Sequence, residues 1–216
     1  MTELIIALDR MSMSKALQLA KAVQGRVWGY KVNDLLLHYG AEIVYELKKF
    51  GNVMADPKLH DIPNTINNGV ETLRSAGADI VTVHASAGYM PQKDQGEFLA
   101  GITVLTSMSE GTCEEIYGEN LNYVVSDFGN RLLERGYKHV VCSGHEVELM
   151  PQQLLKICPG IRPLWYQQQN DQTRKMTPQE AKEKGADFIV IGRPLVMAEN
   201  FEEALTKTLA ELAGQE

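Results

Sequence analysis

Residues 1–216 read as a single-domain (β/α)8 barrel, and three observations predict it. Short β-branched runs alternate with segments of helical spacing, the runs number eight, and no Pro/Gly/Ser-rich linker divides them. The runs are Leu4–Leu8, Val27–Val32, Asn52–Asp56, Ile80–His84, Gly101–Thr106, His139–Ser143, a weaker one at Lys156–Cys158, and Phe188–Ile191. After the third run, Ile66, Val70 and Leu73 share one helical face. Ala76-Gly-Ala-Asp-Ile-Val and Lys184-Gly-Ala-Asp-Phe-Ile-Val are matching lead-ins, consistent with helix-ending glycines that feed equivalent βα units. Met176-Thr-Pro178 opens a helix ahead of the eighth run. The alternative is an open doubly wound sheet. That fold usually carries Gly-x-Gly-x-x-Gly after its first strand, and Asp9-Arg-Met-Ser-Met is unlike it.

Composition narrows the class. With 44% apolar and 23% charged residues the chain is an ordinary globular one, long enough to bury well over half of its unfolded surface. A net charge of −7 and a pI near 5.3 argue against nucleic acid as the main partner, yet leave room for a small phosphorylated ligand held by a few local donors. Cys113, Cys142 and Cys158 are odd in number and lack Cys-x-x-Cys spacing, so neither a disulfide framework nor a zinc site is expected. No apolar run approaches the ~18 residues of a membrane span, and Met1-Thr-Glu-Leu-Ile-Ile-Ala has no basic leader. A cytoplasmic enzyme is the simplest expectation.

Barrel enzymes carry their chemistry where the strands end, and the third run ends in Asp56-Pro-Lys-Leu-His-Asp-Ile-Pro-Asn64. Side chains two apart on a strand face the same way, so Asp56 and Lys58 project into one space, with Asp61 in the loop beyond. An ammonium about 4 Å from a carboxylate gains roughly 4 kcal/mol at an effective dielectric near 20. Such a lysine is held in place and stays protonated, which suits a proton donor and not a Schiff-base nucleophile. Taken alone, the spacing equally allows Asp61 to cap the next helix with Pro63 in its first turn. Asp9 and Lys31 end the first two runs, Thr106 and Ser109 close the fifth, and each hydroxyl is also a candidate helix cap. Gly192 and Arg193 follow the eighth run, where a glycine lets backbone N–H groups approach an anion and a guanidinium offers a forked cation. Arg162 and Gln172 lie in the long loop after the seventh run. Barrels commonly bind phosphate with these last two loops.

The string from Asp56 to Thr65, Asp-x-Lys-Leu-His-Asp-Ile-Pro-Asn-Thr, resembles the signature of the orotidine 5′-monophosphate decarboxylases, and the similarity runs from Asp9 to about Pro194. Sugar-phosphate enzymes of the wider Asp-x-Lys-x-x-Asp group read differently after the lysine. The resemblance implies cofactor-free loss of CO2 from C6 of orotidine 5′-monophosphate, in a barrel that works as a homodimer. It assigns Lys31, Asp56, Lys58 and Asp61 to a charge array, with Lys58 protonating the C6 carbanion and Asp61 supplied by the partner subunit. It assigns Asp9 to the ribose, Ile62, Thr65 and Thr106 to the substrate pocket, and Ser109 to the pyrimidine. Arg162, Gln172, Gly192 and Arg193 would hold the 5′-phosphate, with no metal. Two rivals stand beside it: a Mg2+-dependent sugar-phosphate decarboxylase or aldolase of the same barrel group, and a non-catalytic nucleotide-binding barrel. Three departures accompany the resemblance. The short stretch between Gly88 and Leu99, where the family usually has a full helix, puts the fourth helix in doubt, residues 164–170 replace a Gly-rich stretch, and Gly144 stands where a proline is usual.

Overall fold

The computed structural model describes residues 2–92, 94–166 and 176–214. Eight parallel strands close in sequence order into a barrel. They are β1 (Glu3–Ala7), β2 (Gly29–Val32), β3 (Asn52–Leu59), β4 (Ile80–His84), β5 (Leu99–Ile102), β6 (His139–Val141), β7 (Leu155–Pro159) and β8 (Phe188–Ile191). The helices are α1 (Met13–Val23), α2 (Asp34–Tyr39), α3 (Glu42–Lys48), α4 (Pro63–Ser75), α5 (Glu110–Tyr117), α6 (Leu121–Glu134), α7 (Pro178–Glu183), α8 (Arg193–Val196) and α9 (Phe201–Ala213).

Period-two alternation sorts each strand between two cores. In β1, Leu4 and Ile6 join the large cluster between strands and helices, while Ile5 and Ala7 join Met54, Ile80, Ala100, Ile157, Phe188 and Val190 inside the barrel. The floor of that interior is aromatic: Trp28 meets Phe188 edge-on at 5.3 Å, and His139 lies 6.3 Å from the same ring.

Strand bounds need adjusting, and one connection was not foreseen. β5 begins at Leu99 and stops at Ile102 instead of running Gly101–Thr106, because its neighbour β6 ends at Val141, opposite Ile102. β3 runs on to Leu59 through a bulge: Ala55 pairs with Val81 and Leu59 with Val83, so four steps along β3 face two along β4. The sixth connection, not singled out from sequence, carries a 3₁₀ turn (Gly144–Leu149) with a Ser143/Glu146 capping box in place of an α-helix. The fourth helix, which the short spacing put in doubt, is not seen among the described residues, where 3₁₀ turns at Ala85–Ala87 and Gly96–Phe98 lie between β4 and β5. Tyr89, 2% exposed, fills part of that gap, and its hydroxyl bonds Asn67 and Gln95.

Candidate active site

The interior line of each strand continues upward into the site. On β1 the sequence Ile5, Ala7, Asp9 keeps one parity; on β3 it is Met54, Asp56, Lys58; on β4 it is Ile80, Thr82, His84. Lys31 pairs in register with Ala7 and so shares its side of the sheet. Packing apolar residues below therefore sets a polar layer on top.

That layer is a chain of alternating charge. Lys31 Nζ lies 3.1 Å from Asp9 Oδ2 and 3.3 Å from Asp56 Oδ2, and Lys58 Nζ lies 2.5 Å from the same Asp56 oxygen. Asp56 is buried, and its other oxygen, Oδ1, accepts the Thr82 hydroxyl at 2.8 Å. Burial pulls the Lys31 ammonium toward lower pKa, but Asp56 and then Asp9 outweigh it, so its pKa is raised and it stays charged. Behind Lys58, His84 lies 5.6 Å from His60, and burial, then His60 and Lys58, lower its pKa.

The array within one chain is thus Asp9–Lys31–Asp56–Lys58. Asp61 is exposed, and its Oδ1 accepts the N–H of Ile62 at 2.7 Å; among the described residues it pairs with no lysine. The cap of α4 is Ile62, followed by Pro63, so Asp61 is not the cap that spacing allowed. Ile62 and Thr65 are exposed on the loop and first turn of α4.

Beside Lys31, Asp56 and Lys58 opens a cavity of about 200 Å³ walled by Ile102, Val104, Leu105, Thr106 and Val190. Sharing Lys31, Pro159 and Val190 with it is a cleft of about 570 Å³ lined by Asp9, Gly160, Arg162, Gly192 and Arg193. An apolar slot ending in charge, joined to a cationic cleft, has the size and polarity for a phosphorylated small molecule. Arg162 is buried, its Nη1 donating to the Ile161 carbonyl at 2.9 Å. Gly192 packs against β1, where a Cβ would sit 3.3 Å from that of Ala7. Ser109 is exposed and caps α5 through Thr112 N–H, the structural role its position allowed. Gln172 lies outside the described residues.

Sequence reasoning gave no role to four polar neighbours. Asn33 Nδ2 donates to the Asp56 carbonyl at 2.6 Å, and Thr82 bridges Asp56 and Lys58. Arg10 and Lys15 line the cationic cleft. Arg10 adopts φ 60 with its N–H on Asp34 Oδ2 at 2.8 Å. Only Thr82 had a readable signal, its shared parity with Ile80 and His84.

Fold and site together define a (β/α)8 barrel with a lysine–aspartate array at its strand ends, beside a cleft of the size and polarity for a phosphorylated small molecule. The family model described as "Orotidine 5'-phosphate decarboxylase / HUMPS family" matches residues 2–208, and the chain belongs to that family. It is 34% identical to the orotidine 5′-phosphate decarboxylase of Maridesulfovibrio salexigens over 98% of this chain and 99% of that one. It is 41% identical to the Streptococcus gordonii protein of the same name over 74% of this chain and 75% of that one. The crystal structure of the Lactobacillus acidophilus orotidine 5′-phosphate decarboxylase superposes with a TM-score of 0.78 at 28% identity, covering 98% of this chain and 99% of that one.

Proposed function

We propose that the chain decarboxylates orotidine 5′-monophosphate to UMP and CO2 in pyrimidine biosynthesis, without metal or cofactor. The observation that carries this is the Lys58 ammonium, pinned on buried Asp56 at the mouth of an apolar cavity sized for a pyrimidine. Loss of CO2 from C6 leaves a carbanion in the ring plane, which the ring system cannot delocalise. A fixed cation aimed at that carbon stabilises charge present only after bond cleavage, and then delivers its proton to C6. Asp56 crowds the departing carboxylate with like charge, so the repulsion is relieved as CO2 leaves. Lys31 holds Asp56 in place, its ammonium 3.3 Å from Oδ2. Enzymes supply about 8–23 kcal/mol of transition-state stabilisation, and a decarboxylation without an electron sink calls on the upper part of that range.

Asp9 would bind the ribose hydroxyls, Thr106 the pocket wall, and Ser109 the pyrimidine edge. Arg162, Gln172, Arg193 and the Gly192 backbone would grip the 5′-phosphate, remote binding that helps to orient C6 against Lys58.

The active assembly in this reading is an isologous homodimer in which Asp61 enters the partner's site. In support, large apolar side chains are exposed along neighbouring connections on the barrel's mouth: Leu37 (88%), Ile62 (66%), Met90 (61%) and Leu105 (39%). A cytoplasmic location accords with the substrate, and among the described residues no helix is long and apolar enough to cross a membrane.

The test is the loss of orotidine monophosphate absorbance with EDTA present, run with Lys58→Ala alongside. Wild type should turn over undiminished by EDTA. Lys58→Ala should be inactive with unchanged circular dichroism. Activity within about tenfold of wild type, only ~1.4 kcal/mol, would remove Lys58 from the mechanism.

A further inference from the structure

Lys58 occupies a backbone conformation that lysine rarely adopts: φ is +54, in the left-handed region. It sits in the bulge where β3 has two more residues than β4 between Ala55 and Leu59. The bulge removes Lys58 N–H from the regular ladder. A half-buried N–H left unpaired would be costly, and β4 answers with a side chain in place of a carbonyl. Lys58 N–H donates to Thr82 Oγ1 at 3.0 Å, and the same hydroxyl donates its proton to Asp56 Oδ1 at 2.8 Å. Thr82 is fully buried, so both bonds are shielded from water.

One hydroxyl therefore holds the two members of the array at different points, the lysine by its main chain and the aspartate by its carboxylate. With Oδ1 fixed on Thr82, Oδ2 is turned toward the two ammonium groups, 2.5 and 3.3 Å away. Asn33 fastens the other end of the bulge through the Asp56 carbonyl. Strained backbone persists where the surroundings over-determine it, and these bonds supply that determination.

We propose that Thr82 is a positioning residue for the reaction: its hydroxyl sets the Lys58–Asp56 geometry on which turnover depends, and it never touches the substrate. The proposal rests on Lys58 acting at C6. Valine has threonine's shape without the hydroxyl, so Thr82→Val isolates the two bonds. A displacement of about 1 Å at the reacting group costs on the order of 100-fold, so kcat should fall by about that factor. The phosphate grip lies elsewhere, so KM should stay within about threefold. Thr82→Ser keeps donor and acceptor and should retain kcat within about fivefold of wild type. Melting and circular dichroism accompany each variant. If Thr82→Val does not fold, Thr82→Ala replaces it with the same expected split between kcat and KM.

Wild-type kcat in the hydroxyl-free variant overturns the proposal. So does a serine variant as impaired as the valine one, which would make shape and not the hydroxyl the cause. An impairment confined to a raised KM overturns it as well. Lys58→Ala, assayed in the same series, separates the two layers. An active Lys58→Ala sinks the reading of the site itself. A dead Lys58→Ala beside an unimpaired Thr82→Val sinks only the role given to Thr82.

Discussion

Replacing Lys31 with methionine should destabilise the protein far more than breaking a surface ion pair. The Lys31 ammonium is almost enclosed and lies 3.3 Å from Asp56 and 3.1 Å from Asp9. At an effective dielectric of 20 the Asp56 contact is worth about 5 kcal/mol of gross attraction. The Asp9 contact is worth less than its distance suggests, because that carboxylate is 38% exposed and screened by water. Desolvation of the ammonium offsets part of the gain. Removing one partner of a buried pair nonetheless leaves the other uncompensated, at about 3–5 kcal/mol. Lys58 remains on Asp56 and softens the loss, so the lower end, about 3 kcal/mol, is the expected value. For a chain of this size that lowers Tm by roughly 6–12 °C. Urea denaturation of Lys31→Met should show a reduced midpoint at unchanged slope, and Asp56→Asn on the same background should recover part of the loss. Arg26→Ala, which breaks an exposed pair with Glu202, is the control and should cost less than about 1 kcal/mol. If Lys31→Met costs no more than Arg26→Ala, the array is not an enclosed electrostatic unit and the reasoning fails.

Three further predictions concern phosphate, subunit exchange and pH. Arg193→Ala should lower kcat/KM for the nucleotide by roughly 2–4 kcal/mol and leave the phosphate-free nucleoside nearly unaffected; equal damage to both substrates would take Arg193 off the phosphate. Inactive Lys58→Ala and Asp61→Ala chains, refolded together, should regain activity in about a quarter of all sites; no recovery in demonstrated heterodimers would place Asp61 in its own chain's site or outside the site altogether. Burial at the barrel floor lowers the pKa of His139, near Lys138, Glu97 and Asp187, so protonation favours the unfolded chain. The stability it contributes is complete above the unfolded value of about 6.5 and drains away as pH falls toward the depressed folded value, by at most ~1.4 kcal/mol per pH unit. Half-buried His84 adds the same sign. His139→Phe should flatten the acid slope of Tm, and an unchanged slope would assign it to other groups.

The sequence carried the barrel because alternation and helical spacing are local, and local patterns survive folding. It carried Asp9, Lys31, Asp56 and Lys58 for the same reason: each ends a run whose parity points inward. What it could not carry depends on two segments at once. The β3 bulge is a mismatch between β3 and β4, so neither strand alone announces that Thr82 will meet Lys58. β5 stops where β6 stops, although Val104 and Thr106 continue a strand-like pattern. Arg10 turns into the left-handed region because Asp34 accepts its N–H from 24 residues away, and no propensity encodes that. Ser109 shows the opposite limit: its capping bond is local and was foreseeable, while any reach toward a pyrimidine depends on the ligand.

The stacking of the polar layer on the same strand parity as the apolar core has an evolutionary consequence. A one-residue insertion or deletion low in β3 would turn Asp56 and Lys58 toward the helices and Val53 and Ala55 into the barrel, destroying core and chemistry together. Point substitutions in the top layer leave the lower layers untouched. Descendants of such a chain can thus exchange one reaction for another by replacing strand-end residues in place, and lineages should diverge there by substitution, with length changes confined to connections such as the shortened one between β4 and β5.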